Sequence, residues 1–141
     1  MHATRPQYPE LIALSIILLL AALLRMGWLG TAEFKLDEAR IATLALNLVQ
    51  GKSLPPQGTD SSTGLPTSPL SIYMYALPFF FSPNPYFATW FTAALNVLGV
   101  ALGWWLARRY WGKNAALLAA LLFATSPWPV LASRKIWQPN I

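Results

Sequence analysis

The chain has 141 residues, of which 55% are hydrophobic and only 11% are charged, with a formal net charge of +5. Soluble domains usually carry about 25% charged residues, and the apolar residues here occur in long blocks, so the composition predicts an integral membrane protein. The absence of cysteine excludes disulfides and thiolate metal sites, and the single histidine, His2, is next to the N-terminus. Histidine-based catalysis and histidine-ligated zinc are therefore not expected. The basic residues form short clusters beside the apolar blocks, which is typical of membrane topology signals and does not indicate a nucleic-acid partner.

The first predicted membrane span covers about residues 11–29. Its length matches a hydrocarbon core of about 30 Å at about 1.5 Å per residue. The apolar block is followed by Arg25 and Trp28 where a signal peptide would have small residues before its cleavage site. We therefore predict a retained anchor, with Arg25 extending toward the membrane interface.

Residues 31–86 are predicted to form an outer loop that contains two interfacial helices. Apolar residues recur at helical spacing over about residues 37–50, which predicts an amphipathic helix on the membrane surface. Asp37 is expected to cap this helix and Gly51 to end it. Residues 52–69 are rich in Pro, Gly and Ser and are predicted to be a loop. The apolar run 69–81 is short for a span and contains Pro78, so we expect it to lie at the interface.

Two further spans are predicted at about residues 87–107 and 115–132. The turn between them carries Arg108, Arg109 and Lys113, and short basic loops stay in the cytoplasm. The N-terminus is also expected to be cytoplasmic, so the loop 31–86 and the C-terminal end are predicted to lie outside. The predicted fold class is an all-α membrane protein with about three transmembrane helices and interfacial helices in its first outer loop. Gly99 and Gly103 within the second span predict close helix packing.

Two groups of residues could carry chemistry. Asp37 and Glu38 are adjacent carboxylates at the start of the first interfacial helix. Taken alone, they are explained better by helix capping and a favourable interaction with the helix dipole than by catalysis. Arg134 and Lys135 are predicted on the same outer face, against the positive-inside tendency. They could bind a lipid phosphate, or they could be basic side chains that reach the interface from a helix end.

The order of several segments resembles a known enzyme family. The segments are Phe34–Arg40 (FKLDEAR), Gly64–Leu70 (GLPTSPL), Ala107–Gly112 (ARRYWG) and Ala119–Pro127 (AALLFATSP). In this order they are similar to the N-terminal part of GT-C-fold glycosyltransferases of the protein O-mannosyltransferase and lipid A aminoarabinose transferase type. The resemblance covers about residues 11–141.

The resemblance implies an enzyme that transfers a sugar from a polyprenyl-phosphate donor to a hydroxyl of a protein, lipid or glycan. It also implies a place in the bacterial plasma (inner) membrane, with the chemistry at the outer face. By this resemblance Asp37 is the catalytic acid of the first loop and Glu38 its supporting neighbour. Arg134 falls where the family often has an arginine. Arg134 and Lys135 are predicted to bind the donor phosphate, and Arg40 and Asn140 are predicted as possible contacts with acceptor or donor.

The chain departs from the family pattern in two ways. Many members carry a second acid shortly after the arginine that corresponds to Arg134, whereas this chain has Gln138-Pro139-Asn140. A divalent cation, Mg²⁺ or Mn²⁺, is therefore left open, with Asp37 as its only candidate ligand. Family members also have many more spans, so residues 1–141 are expected to be the front of a longer enzyme and inactive alone. The competing hypothesis is a non-catalytic membrane subunit or a degenerate fragment.

Overall fold

A computed structural model describes residues 7–27, 34–60 and 64–136 of the chain. These residues form helices and loops with no β-strand, apart from one isolated bridge between Asp60 and Pro66. The helices are α1 (Tyr8–Met26), α2 (Leu36–Val49), α3 (Leu70–Phe79), α4 (Pro85–Trp111), α5 (Lys113–Thr125) and α6 (Pro127–Ala132). The chain divides into two compact units. Unit 1 comprises Met1–Trp28 and Ala93–Ser133, and unit 2 comprises Leu29–Thr92 and Arg134–Ile141.

Two of the helices, α1 with 19 residues and α4 with 27, are long and apolar enough to cross a membrane. They correspond to the predicted spans at 11–29 and 87–107, although residues 28 and 29 lie outside the described ranges. The third predicted span, 115–132, is not one continuous helix. It is interrupted at Ser126, where α5 ends and α6 begins at Pro127. Proline cannot continue the backbone hydrogen-bond ladder of a helix, which explains the interruption.

Unit 1 is held together by close packing of α1 on α5. Ala116, Ala120 and Ala124 repeat every fourth residue of α5 and are all buried. Small side chains at this spacing allow two helix backbones to approach each other. Ala120 and Ala124 share a hydrophobic cluster with Ile17 and Ala21 of α1. The alanine stripe of α5 is thus the surface on which α1 rests.

The predicted close packing at the glycines of α4 is only partly present. A Cβ atom added at Gly99 would meet the ring of Phe123 at 3.7 Å, which is ordinary contact. A Cβ atom at Gly103 would meet no described atom within 4 Å. The close-packing prediction is therefore wrong for Gly103, because no described helix approaches that face of α4.

An ion pair connects the start of α1 with the end of α4 inside unit 1. The Nε of Arg108 donates to Oε1 of Glu10 at 2.6 Å, and the Glu10 side chain is completely buried. Arg108 is in the last turn of α4, where a cation also interacts favourably with the helix dipole. This contact puts the beginning of α1 and the 108–113 turn at the same end of unit 1.

Unit 2 is built on the packing of α2 against α3. Its buried core contains Ile41 and Ala45 from α2, Ile72 and Tyr75 from α3, and Ile136 from the segment after α6. The predicted interfacial helices at 37–50 and 69–81 correspond to α2 and α3, with ends shifted by one or two residues.

The connection from α2 to α3 is attached to both helices. After α2 the chain turns at Gly51, whose φ of +68° is the left-handed conformation that glycine adopts most easily. Its N–H donates to the Leu48 carbonyl and that of Lys52 to the Asn47 carbonyl, which together form a Schellman motif. The hydroxyl of Tyr73 donates to the Pro55 carbonyl at 2.9 Å and so holds the loop to α3.

Candidate functional site

The start of α2 differs from the prediction by one residue. Lys35 is the N-cap, the helix begins at Leu36, and Asp37 is the second helical residue. The expectation that Asp37 caps the helix is therefore wrong. The capping interaction comes from Glu38 instead, whose Oε2 accepts a hydrogen bond from the Lys35 backbone N–H at 2.9 Å. This bond satisfies a donor that the helix itself leaves unpaired.

The two neighbouring carboxylates have different surroundings. The Glu38 side chain is buried, with 5% of its surface exposed, and it is engaged by the backbone. The Asp37 side chain is exposed and makes no hydrogen bond or ion pair to any described residue. Both acids lie in the first turn of α2, where the helix dipole favours negative charge. Of the two, Asp37 is the carboxylate that a substrate could reach.

Arg40 is paired with a residue that the sequence analysis did not single out. Its Nη2 lies 3.3 Å from Oδ2 of Asp60, and more than half of each side chain is exposed. Exposed pairs of this kind contribute about 0–1 kcal/mol to stability. The pairing leaves Arg40 on the surface of unit 2 but directs its guanidinium to the loop after α2, so it is not an ion-pair partner of Asp37.

Asp60 itself lies at the start of a short turn that closes on residues 66 and 67. The Gly58 N–H donates to the Thr67 carbonyl at 2.8 Å, and the Thr67 N–H donates to the Thr59 carbonyl at 3.0 Å. The Thr67 hydroxyl also donates to the Thr59 carbonyl at 2.7 Å. A Cβ atom at Gly58 would lie 2.6 Å from the Ser68 carbonyl oxygen, so this position accepts no larger residue without movement.

The cation pair Arg134 and Lys135 follows α6 and is partly exposed. The next residue, Ile136, is completely buried in the core that α2 and α3 form. Because Ile136 is anchored there, Arg134 and Lys135 belong to the same compact unit as Asp37. Four of the predicted site residues besides Asp37, namely Glu38, Arg40, Arg134 and Lys135, are thus in unit 2. Asn140, the remaining predicted contact residue, lies outside the described residues.

The described residues contain no group of three or more His, Cys, Asp or Glu side chains placed to hold a metal ion. Glu38 is adjacent to Asp37 in sequence but is buried against the backbone.

A buried arginine in α1 is the polar feature that the sequence analysis assigned wrongly. Arg25 was expected to reach the membrane interface, but its side chain has no exposed surface. Its guanidinium donates to the carbonyls of Phe123 and Ala124 at the end of α5. The signals in the sequence were an arginine inside an apolar helix and two prolines in the last apolar segment. The hydrogen bonds between Arg25 and the carbonyls beside these prolines depend on tertiary packing, which a local sequence pattern does not predict.

Comparison of the chain with family models, with curated proteins and with solved structures finds no match. The function proposed for the chain therefore rests on the resemblance of its sequence segments and on the geometry of its residues.

Proposed function

We propose that this chain is the N-terminal part of a membrane glycosyltransferase with a GT-C fold. It transfers a sugar from a polyprenyl-phosphate donor to a hydroxyl acceptor on the outer face of the bacterial plasma membrane. One observation supports this proposal above the others. The exposed carboxylate of Asp37 and the cation pair Arg134-Lys135 belong to one compact unit, because Ile136 is buried in the core beneath α2.

The transfer needs a carboxylate that accepts a proton and cations that stabilise the departing phosphate. The Asp37 carboxylate accepts the proton of the acceptor hydroxyl as its oxygen bonds to the anomeric carbon of the sugar. The bond between that carbon and the phosphate oxygen breaks, and the polyprenyl phosphate leaves with the electron pair. Arg134 and Lys135 stabilise the negative charge that develops on the departing phosphate. Arg40 and Asn140 contact the acceptor or the donor.

A divalent cation at this site would be bound through Asp37. Mg²⁺ and Mn²⁺ are coordinated mainly by oxygen atoms and usually have six ligands. Asp37 supplies one such oxygen donor, so the remaining ligands would come from the donor phosphate, from water or from other parts of the protein.

The proposed arrangement in the membrane has three spans, formed by α1, α4 and the α5–α6 segment. Residues 31–86 lie outside, and the turn from Arg108 to Lys113 lies in the cytoplasm, as expected for a short basic loop. The ion pair between Glu10 and Arg108 supports this topology, because three spans require the start of α1 and the end of α4 to lie on the same side of the membrane. Together α5 and α6 cover residues 113–132, which is close to the length of about 20 residues that a span requires.

The test is the Asp37→Asn variant of the full-length protein that contains residues 1–141. It is assayed in membranes with polyprenyl-phosphate-linked sugars and hydroxyl acceptors. Asn preserves the size and polarity of Asp and is compatible with a helix start, so folding is retained. A catalytic acid that loses its proton-accepting group should cost about a hundredfold or more in turnover.

The matched control is Asp60→Asn, which changes another exposed carboxylate of unit 2 and leaves an oxygen that Arg40 can still bind. It should retain near-normal transfer. Near-normal transfer by Asp37→Asn would remove this residue from the mechanism. If the full-length protein that contains residues 1–141 transferred no sugar from any polyprenyl-phosphate donor, the alternative of a non-catalytic membrane subunit would replace the enzyme.

A further inference from the structure

The junction between α5 and α6 leaves backbone carbonyls without their usual helical donors. In a continuous helix the Phe123 carbonyl would accept a hydrogen bond from the N–H of residue 127, which is a proline and has none. Ser126 is extended, with φ −60° and ψ 126°, as residues before proline usually are. This turns the chain out of helical register, and the N–H of Trp128 makes no hydrogen bond to the Ala124 carbonyl. The Leu122 carbonyl is still satisfied, by the Ser126 N–H at 2.9 Å.

Arg25 of α1 donates to both of these carbonyls. Its Nη1 lies 2.8 Å from the Ala124 oxygen, and its Nη2 lies 2.8 Å from the Phe123 oxygen. The side chain is completely buried, and its guanidinium carbon lies 5.7 Å from the centre of the Phe123 ring. The end of α5 carries the negative end of the helix dipole, so a cation is favoured there.

We propose that Arg25 replaces, from another helix, the two backbone donors that the proline break removes from the end of α5. The arginine and the break then depend on each other. Without Arg25 the buried Ala124 carbonyl and the partly buried Phe123 carbonyl would lose this donor. Without the break the guanidinium would keep only its 3.5 Å contact with the Ala21 carbonyl of its own helix. Either change would carry the desolvation cost of an unpaired polar group. This inference concerns unit 1 only and is independent of the proposed transferase activity.

A guanidinium suits this task better than an ammonium group. Its planar fork directs two N–H donors in fixed and parallel directions, which matches two carbonyl oxygens on consecutive residues. A lysine would place a single, strongly hydrated charge in the same buried position. We therefore expect Arg25→Lys to lose nearly as much stability as Arg25→Met.

The test is suppression of an Arg25 defect by removal of the proline. Arg25→Met keeps the apolar length of the side chain and removes its donors, and it should lower the thermal midpoint of the detergent-solubilised protein by roughly 5–10 °C. Pro127→Ala supplies an N–H at residue 127 and releases Ser126 from its extended conformation. Residues 127 and 128 can then donate to Phe123 and Ala124. The double variant Arg25→Met/Pro127→Ala should recover at least half of the lost midpoint.

Ile17→Ala is the matched control, because Ile17 is a buried residue of α1 in the same unit that contributes packing without hydrogen bonds. Pro127→Ala should not restore the stability that Ile17→Ala loses. If Arg25→Met does not accumulate in membranes, recovery of accumulation in the double variant is the expected result. The proposal is overturned if Pro127→Ala fails to rescue Arg25→Met, or if it rescues Ile17→Ala to the same extent.

Discussion

At the scale of single residues, Asp37 and Glu38 have separate tasks although they are neighbours in the chain. Glu38 is buried and receives the Lys35 N–H, whereas Asp37 projects from the helix surface. One carboxylate therefore stabilises the helix start, and the proposed chemistry falls to the other.

This division predicts a difference in stability between variants of the two acids. Glu38→Ala removes the acceptor of the Lys35 N–H and should lower the free energy of unfolding by about 1 kcal/mol. Glu38→Gln keeps an acceptor oxygen and should lose less. Asp37→Asn should leave the free energy of unfolding almost unchanged. Chemical unfolding of the purified protein in detergent measures all three, and an equal loss for Asp37→Asn and Glu38→Ala would contradict the division.

The sequence pattern predicted that these acids begin a helix but not which of them is buried. A helix that begins at Leu36 rather than after Asp37 makes Lys35 the cap and brings Glu38 within reach of its N–H. Helix ends are usually uncertain by one or two residues in such a prediction. The ion pair of Arg40 with Asp60 could not be predicted from the sequence either, because it depends on how the loop folds back onto α2.

At the scale of helices, the spacing of apolar residues and the positions of prolines predicted most of the helices that the structure contains. The interfacial helices expected at 37–50 and 69–81 are found at Leu36–Val49 and Leu70–Phe79. Pro127 and Pro129 lie in the last apolar segment, and α5 changes to α6 at Ser126, where a proline cannot continue the helix. Packing partners were harder to predict, because a glycine pair and an alanine stripe both indicate close helix contact. Only the alanine stripe of α5 is buried throughout.

The alanine stripe leads to a prediction about α5. Ala120 is buried against α1, whereas Ala119 on the same helix is exposed. Ala120→Leu inserts a larger side chain between two closely packed helices and should cost about 1–3 kcal/mol. Ala119→Leu makes the same chemical change on the open face and should cost much less. Unfolding in detergent compares the two, and equal costs would show that α1 does not rest on this stripe.

At the scale of the whole molecule, the charges are distributed very unevenly. The sequence has no charged side chain from Ser61 to Ala107, a stretch that contains all of α3 and most of α4. Charged residues lie in the N-terminal region up to Arg25, between Glu33 and Asp60, in the 108–113 turn and after α6. In the proposed topology this places the candidate site on one side of the membrane and the basic turn on the other.

The most direct test of this account is the side of the membrane on which unit 2 lies. The chain has no cysteine, so a single introduced thiol reports its own position without background. Gln57 and Asn114 are both exposed and neither is charged, so Gln57→Cys and Asn114→Cys preserve the charge pattern that determines topology. A membrane-impermeant maleimide should label Gln57→Cys in intact cells and Asn114→Cys only after the membrane is made permeable. Labelling of both positions from the same side would contradict the three-span arrangement and, with it, the proposed site at the outer surface.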